Sequence, residues 1–340
     1  MKRLAALLLA TLLALALSGA AAGPPSPPPG QASYAKRPEV RAFIRDMVQR
    51  NGFVERELTF MFSRVKREDP VLQFIRPPDK GPSWQEYREI FLTEKRVALG
   101  AEFWGTHGAQ LERAQREFGV PPEYVLAIIG IETYYGRNMG RWRVVDALTT
   151  LAFDYPPRAT YFRNELEQYL LLSRDLGFDV FSVRGSYAGA IGIPQFMPGS
   201  QRRFAVDFDG DGVVDLRRNA ADAIGSVANF LKQHGWQPGS AVMFPARVDG
   251  EAWRAYADGG IEPKHRLADL KRAGAQFAAP AELDGALGAL VELATPERAS
   301  EYRVGLNNFY VLTRYNRSAL YATAVAELAA ALRKTQEPGR

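Results

Sequence analysis

Glu132 follows one of the most apolar stretches of the chain, Tyr124-Val125-Leu126-Ala127-Ile128-Ile129-Gly130-Ile131. A helix of that composition is buried on most sides and presents one carboxylate at its C-terminal end, ahead of Gly136, which is suited to stopping it. Partial desolvation and the negative helix end both favour the neutral acid. A carboxyl that stays protonated near working pH is what protonating a glycosidic oxygen requires. Glutamate at a helix end also serves as a cap or ion-pair partner, so the pattern alone leaves both roles open. The other acids sit in plainer settings. Glu165 and Glu167 fall on an amphipathic segment and are expected to face water, and Asp146 is expected as an N-cap. Hydrolytic glycosidases use two carboxylates. A lone acid therefore points to a reaction in which the substrate supplies its own nucleophile.

A second constellation is Asp207-Phe208-Asp209-Gly210-Asp211-Gly212-Val213-Val214-Asp215. Asp207, Asp209 and Asp211 stand at positions 1, 3 and 5 of a calcium loop, Gly212 at 6 and Val214 at 8. Position 12 is Arg218 rather than a bidentate Glu, so a later acid must close the site, and Asp222 is the candidate. Carboxylates this close repel unless a cation sits between them; an acidic turn without metal is the alternative. A bound ion is expected to be structural, because the loop joins two helices and carries no group suited to the reaction. His107, His234 and His265 are scattered without metal-ligand spacing, which argues against a zinc hydrolase.

Met1 to Ala22 reads as a secretory signal: Lys2 and Arg3, a run from Leu4 to Leu17 that is apolar apart from Thr11, then Ala20-Ala21-Ala22. Cleavage is expected near Ala22. Residues 23–32 form a Pro-rich spacer. No later stretch is long and apolar enough for a spanning helix, so the mature chain is expected to be soluble. There is no cysteine, hence no disulfide and no thiol for a lipid anchor, and a bacterial periplasm is the expected compartment. The formal charge of +5 is too small to name a partner. Without a Lys/Arg cluster interleaved with aromatics, nucleic acid is not expected.

Helical spacing predicts a helix from Pro38 to about Arg67. Ser83 with Glu86 forms a capping box opening a long helix towards Phe118. Further helices are expected at 123–135, 144–153, 157–175, 222–234 and 319–333. After Gly235 the segments 241–248, 288–294 and 301–305 are short, β-branched or alternating, and read as a small sheet.

The chain resembles the membrane-bound lytic murein transglycosylase B family. The likeness rests on G-I-E-T-x-Y-G-R-N-M-G from Gly130, D-A-L-T-T-L-A-F-D-Y-P-x-R from Asp146 and G-S-Y-A-G-A-I-G-x-P-Q-F-M-P from Gly185. It continues in A-I-G-S-V-A-N-F from Ala223 and N-F-Y-x-x-T-R-Y-N from Asn308. The resemblance implies a mainly α (α+β) fold: a lysozyme-like core (109–238) with the calcium loop, a small antiparallel β domain (239–305), and an α domain from both chain ends (33–108 and 306–340). It implies that Glu132 acts as sole acid and base, releasing a 1,6-anhydromuramoyl end without consuming water. It implies sugar contacts from Tyr87, Arg158, Tyr161, Ser186, Gln195, Phe230, Tyr315, Asn316 and Tyr321. The ion set it implies is Asp207, Asp209, Asp211, Asp222 and the Val213 carbonyl, holding a structural Ca2+, with no catalytic cofactor.

Two positions depart from the family. Pro157 replaces a second Arg beside Arg158, and Phe230 replaces a common Tyr, keeping the ring and losing its hydroxyl. The expected partners are peptidoglycan glycan strands and other cell-wall enzymes, and the expected state is a monomer. Two competing readings remain open: a hydrolytic muramidase, and a non-catalytic peptidoglycan-binding or scaffolding protein.

Overall fold

A computed structural model describes residues 33–78, 81–257, 260–296 and 298–337. The expected signal segment and Pro-rich spacer lie outside the described residues. The described chain gathers into two compact units, one from residues 33–76 and 139–203, the other from 77–138 and 204–337.

The first unit opens with α1 (Pro38–Asn51), which has Pro38 in its first turn and buries Val40, Phe43, Ile44 and Met47. Gly52 ends it in the left-handed region at φ 70°. The single helix expected to Arg67 is therefore two, with α2 (Glu55–Arg64) following. α3 (Asp69–Phe74) completes this stretch.

In the second unit the expected capping box is present at α4 (Trp84–Phe91): Ser83 Oγ accepts the Glu86 N–H, and Glu86 Oε2 accepts the Ser83 N–H. That helix stops at Leu92, and Thr93 caps α5 (Glu94–Phe118). Two helices thus replace the one long helix expected here, because Thr93 gives the Arg96 N–H an acceptor at 3.2 Å. α6 (Pro122–Thr133) starts on a proline and is buried along nearly its whole length, as its composition requires.

The chain returns to the first unit with β1 (Trp142–Arg143), α7 (Val144–Asp154), α8 (Ala159–Leu176), β2 (Arg184–Gly185) and α9 (Pro198–Phe204). β1 and β2 pair antiparallel, setting Arg143 opposite Arg184. Within this unit Asp154 is buried and collects the Tyr34 hydroxyl at 2.5 Å and Arg37 at 2.7 Å.

The second unit resumes with α10 (Ala220–Gln233), β3 (Met243–Val248), α11 (Arg254–Ala257), β4 (His265–Arg266), α12 (Leu267–Arg272), β5 (Ala275–Phe277), β6 (Leu287–Leu293) and β7 (Glu301–Gly305). The five strands pair antiparallel in the order β4-β6-β7-β3-β5. Trp253, Leu267, Leu270, Leu290 and Val304 form a small core against the sheet. Three strands were expected; β4 and β5, two and three residues long, are too short to show a period. Two helices close the chain, α13 (Asn307–Tyr315) and α14 (Ala319–Lys334), and α14 packs against α6 and α13. The described residues are thus mainly helical with a small antiparallel sheet, and none of their helices is long and apolar enough to cross a membrane.

Candidate active site

α6 places Glu132 in its last turn, and the chain then turns left-handed three times running, at Tyr134 (φ 56°), Tyr135 (φ 60°) and Gly136 (φ 79°). The stop expected from Gly136 is made two residues earlier, by Tyr134, whose N–H returns to Gly130 O at 3.1 Å. Left-handed backbone at two non-glycine residues costs on the order of 1–3 kcal/mol each, so neighbours must hold it. Tyr135 does so by laying its ring across α6 at Gly130, where a Cβ would come within 2.6 Å of the Tyr135 hydroxyl.

Arg96, buried on α5, supplies the second hold. Its Nε donates to Gly130 O at 3.1 Å, its Nη1 donates to Ile90 O and Phe91 O at 2.6 and 2.9 Å, and its guanidinium lies 4.7 Å from the Tyr134 ring centre. Sequence reasoning missed Arg96, because an arginine in a helix's first turn reads as solvated.

Glu132 itself is half-buried, and burial pushes its carboxyl up to about 7. The opposing influence is the Tyr321 hydroxyl, which donates to Oε1 at 2.7 Å and favours the ionised form. Among the described residues, no carboxylate shifts Glu132. Tyr321 is fully buried at the start of α14, and the Tyr315 ring lies parallel to it at 6.4 Å, with an interplanar angle of 11°. Phe230 meets Tyr315 edge-on at 4.8 Å. Burial, with the nearby Glu132 carboxylate second, holds both tyrosines well above the ordinary phenol range, so they are neutral donors. Asn316 is buried with Oδ1 accepting no hydrogen bond, and Tyr87 is buried against Phe91 at 4.7 Å. Among the expected residues of the second unit, the structure thus brings Glu132, Tyr321, Tyr315 and Phe230 into one cluster.

The first unit holds the other four expected groups. Arg158 lies 4.3 Å above the Tyr161 ring. Ser186 is buried and its Oγ accepts the Ala188 and Ala190 N–H groups at 3.2 and 3.0 Å, which leaves its own proton to give. Gln195 takes a left-handed φ of 50°, and its Nε2 donates to Met139 O and Gly192 O. These two residues shape the Gly-rich segment as well as lining it.

Three expectations for plainer acids are corrected. Glu165 does not face water: burial raises its carboxyl, and it accepts the Gly199 N–H at 2.8 Å. Glu167 is taken up by Arg50 and Asn51. Asp146 is no N-cap but lies buried inside the first turn of α7, bonded to Arg143 and to the Lys66 N–H. All three serve packing contacts within the first unit, which a helical period does not reveal.

At the acidic loop, carboxylate oxygens of Asp207, Asp209 and Asp211 lie within 4.8 Å of one another. Asp207 accepts the Gly210 and Gly212 N–H groups, and the Asn219 amide donates to Asp209. Asp222 is buried and spans the loop: Oδ1 accepts the Phe208 N–H and Oδ2 the Asp215 N–H. The three grouped carboxylates supply hard oxygen donors of the kind calcium takes, so the residues fit that ion.

The transglycosylase SLT domain model matches residues 35–330. The membrane-bound lytic murein transglycosylase B of Escherichia coli (strain K12) is 41% identical over 312 residues, covering 88% of this chain and 84% of the relative. The soluble lytic transglycosylase SltB1 from Pseudomonas aeruginosa superposes with a TM-score of 0.83 at 44% identity, over 88% of this chain and all of the other. The Escherichia coli lytic transglycosylase Slt35, solved in complex with calcium, gives a TM-score of 0.80 at 40% identity, over 90% and 96% of the two chains.

Proposed function

The chain belongs to the SLT-domain lytic transglycosylases, enzymes of peptidoglycan, and from that membership we propose that Glu132 alone performs both proton transfers of its reaction. What carries this reading is the setting of Glu132: a carboxyl raised to about 7 by burial and held by a neutral tyrosine, with no second carboxylate among the described residues acting on it.

Tyr321 occupies Oε1 as a donor, so the acid proton sits on Oε2. That proton passes to the oxygen between N-acetylmuramic acid and N-acetylglucosamine as the bond from this oxygen to muramoyl C1 breaks. The carboxylate left behind then accepts the proton of the muramoyl C6 hydroxyl while O6 closes onto C1. Glu132 ends protonated, the product is a 1,6-anhydro sugar, and no water is consumed. Tyr315, Asn316, Tyr87 and Phe230 in the second unit, with Arg158, Tyr161, Ser186 and Gln195 in the first, are the groups we assign to the glycan. Their rings stack on sugar faces, and their amide, hydroxyl and guanidinium groups read the N-acetyl and ring oxygens.

We assign a structural Ca2+ to Asp207, Asp209, Asp211 and the Val213 carbonyl, an ion that neutralises the loop's carboxylates when bound. Asp222 closes that set with a lone pair that its two backbone hydrogen bonds leave free. The N-terminal Lys2-Arg3 and apolar run support export to the periplasm.

Digestion of purified sacculi, read by mass spectrometry, tests the reaction. Anhydro ends are one water lighter than hydrolysed ends and resist borohydride. They are expected with the unaltered protein and absent with Glu132→Gln. Reducible ends would make the protein a muramidase, and binding without any product would make it a scaffold.

A further inference from the structure

The first unit holds a cavity of about 390 Å³ that none of the residues assigned above lines. It forms where the link between α2 and α3 meets the β1–β2 ladder and the first turn of α7. The link is fastened by its backbone, with the Lys66 N–H on Asp146 and the Glu68 N–H on Thr150 Oγ1, which frees both side chains for the cavity. The ladder sets Arg143 directly opposite Arg184. Like charges facing each other across an antiparallel pair are unfavourable unless an anion answers them. Asp146 answers only Arg143, at 2.5 Å. Arg184 bonds the Arg141 carbonyl, and among the described residues Lys66, Arg141 and Arg184 make no ion pair. The carboxylate of Glu68 makes no close ion pair among the described residues either; burial first, and Asp146 second, push it towards the neutral form, against the weaker pull of Arg143 and Lys66. A half-buried Trp142 adds an apolar wall, held by Phe74 at 6.2 Å, with the Arg141 guanidinium 5.1 Å from its ring centre.

Three cations without a close ion-pair partner around an indole face suit a small ligand with at least two carboxylates and an apolar flank. We propose that this cavity binds a short acidic peptide, its carboxylates on Lys66, Arg141 and Arg184 and its aliphatic part on Trp142. The carboxylate chemistry stands by itself. Only the source of the peptide rests on the peptidoglycan reading, under which the peptide stems of the cell wall, rich in glutamate and diaminopimelate carboxylates, are the natural ligand.

Calorimetry on the purified protein at low salt tests this with three probes: a stem tripeptide (Ala-γ-Glu-diaminopimelate), the same peptide with its carboxylates amidated, and the unrelated peptide Glu-Ala-Glu. The stem tripeptide is expected to bind at least about tenfold tighter than its amidated form. Arg141→Gln and Lys66→Gln, both exposed and so neutral for folding, are each expected to weaken it about five- to tenfold. Equal affinity for the acidic and amidated peptides, no heat at millimolar tripeptide, or unchanged binding in both variants would overturn the proposal. A preference for the stem over Glu-Ala-Glu ties the site to the cell wall, and equal binding supports a site for acidic peptides in general. Turnover of sacculi by the unaltered protein is scored separately. If turnover fails while the tripeptide binds, the reaction assignment falls and this site stands.

Discussion

The Tyr321 hydroxyl lies 2.7 Å from Glu132 Oε1, although 189 residues separate them in the chain. Packing of α14 against α6 is what joins them. The two influences on Glu132 oppose one another: burial drives the carboxyl upward, and the Tyr321 hydrogen bond, which favours the anion, draws it back to about 7. Tyr321 thus tunes the acid as well as fixing its rotamer.

Tyr321→Phe removes that bond while keeping the ring. A hydrogen bond to a charged group contributes about 1.5–3 kcal/mol, so the Glu132 pKa is expected to rise by about one unit or more. The alkaline limb of kcat/KM, set by loss of the acid proton, moves to higher pH by the same amount. The maximum rate falls on the order of tenfold, because the carboxyl loses its orientation. A pH–rate profile on sacculi shows both, and an unmoved limb would separate Tyr321 from the acid.

Glu132→Gln removes the catalyst and is expected to cost at least about a hundredfold in anhydro-product formation, acid catalysis being worth about 10²–10⁴. Its effect on stability has the opposite sign. A carboxyl whose folded pKa is raised binds its proton more tightly in the native state. Its ionisation therefore destabilises the fold progressively as pH climbs from about 4.5 through about 7. Glutamine escapes that cost. The variant is expected to melt higher than the unaltered protein at pH 8, by a margin of about 1–3 kcal/mol, and to match it near pH 4.5. Thermal melts at the two pH values check this.

Much of this arrangement was legible in the sequence, and particular residues show where legibility ends. The apolar run before Glu132 gives the buried helix and its terminal acid directly, and the Ser83–Glu86 box gives a helix start that is observed. What periodicity cannot show is a partner from a distant segment. Tyr321 entered only through family resemblance, and Arg96 not at all, because its acceptors are backbone carbonyls of α4 and α6. Asp146 and Glu165 were misjudged for the same reason: their partners, Lys66 and Gly199, lie 80 and 34 residues away. Breaks at Gly52 and Thr93 were readable as local signals but were outweighed by continuous helical spacing.

Arg96→Met keeps much of the aliphatic bulk and removes every donor to Gly130, Ile90 and Phe91. With three backbone acceptors left in the interior, a loss of about 2–4 kcal/mol is expected, measured by denaturant unfolding. Activity is expected to fall about tenfold or more even where the variant is fully folded. The left-handed Tyr134 that ends α6 loses both its overlying guanidinium and the anchor on its acceptor. If the fold weakens while kcat holds, Arg96 supports the core without positioning Glu132.

Ion removal separates the acidic loop from the chemistry. Asp207, Asp209 and Asp211 repel one another without a cation, while Asp222 ties the loop to α10 through two backbone N–H groups. Calcium is therefore expected to stabilise the fold by about 2.7 kcal/mol at a hundred times its dissociation constant, and chelation to reverse this in a melting scan. Asp209→Asn and Asp211→Asn, both on exposed side chains, should abolish the calcium-dependent rise in melting temperature. Asp222→Asn should lower the melting temperature even in chelator, since its carboxylate holds the loop without any ion. Anhydro-product formation well below the melting temperature is expected to survive chelation, because no loop carboxylate acts on Glu132. A rate that collapsed at once on chelation, with the fold intact, would give the ion a part in the reaction itself.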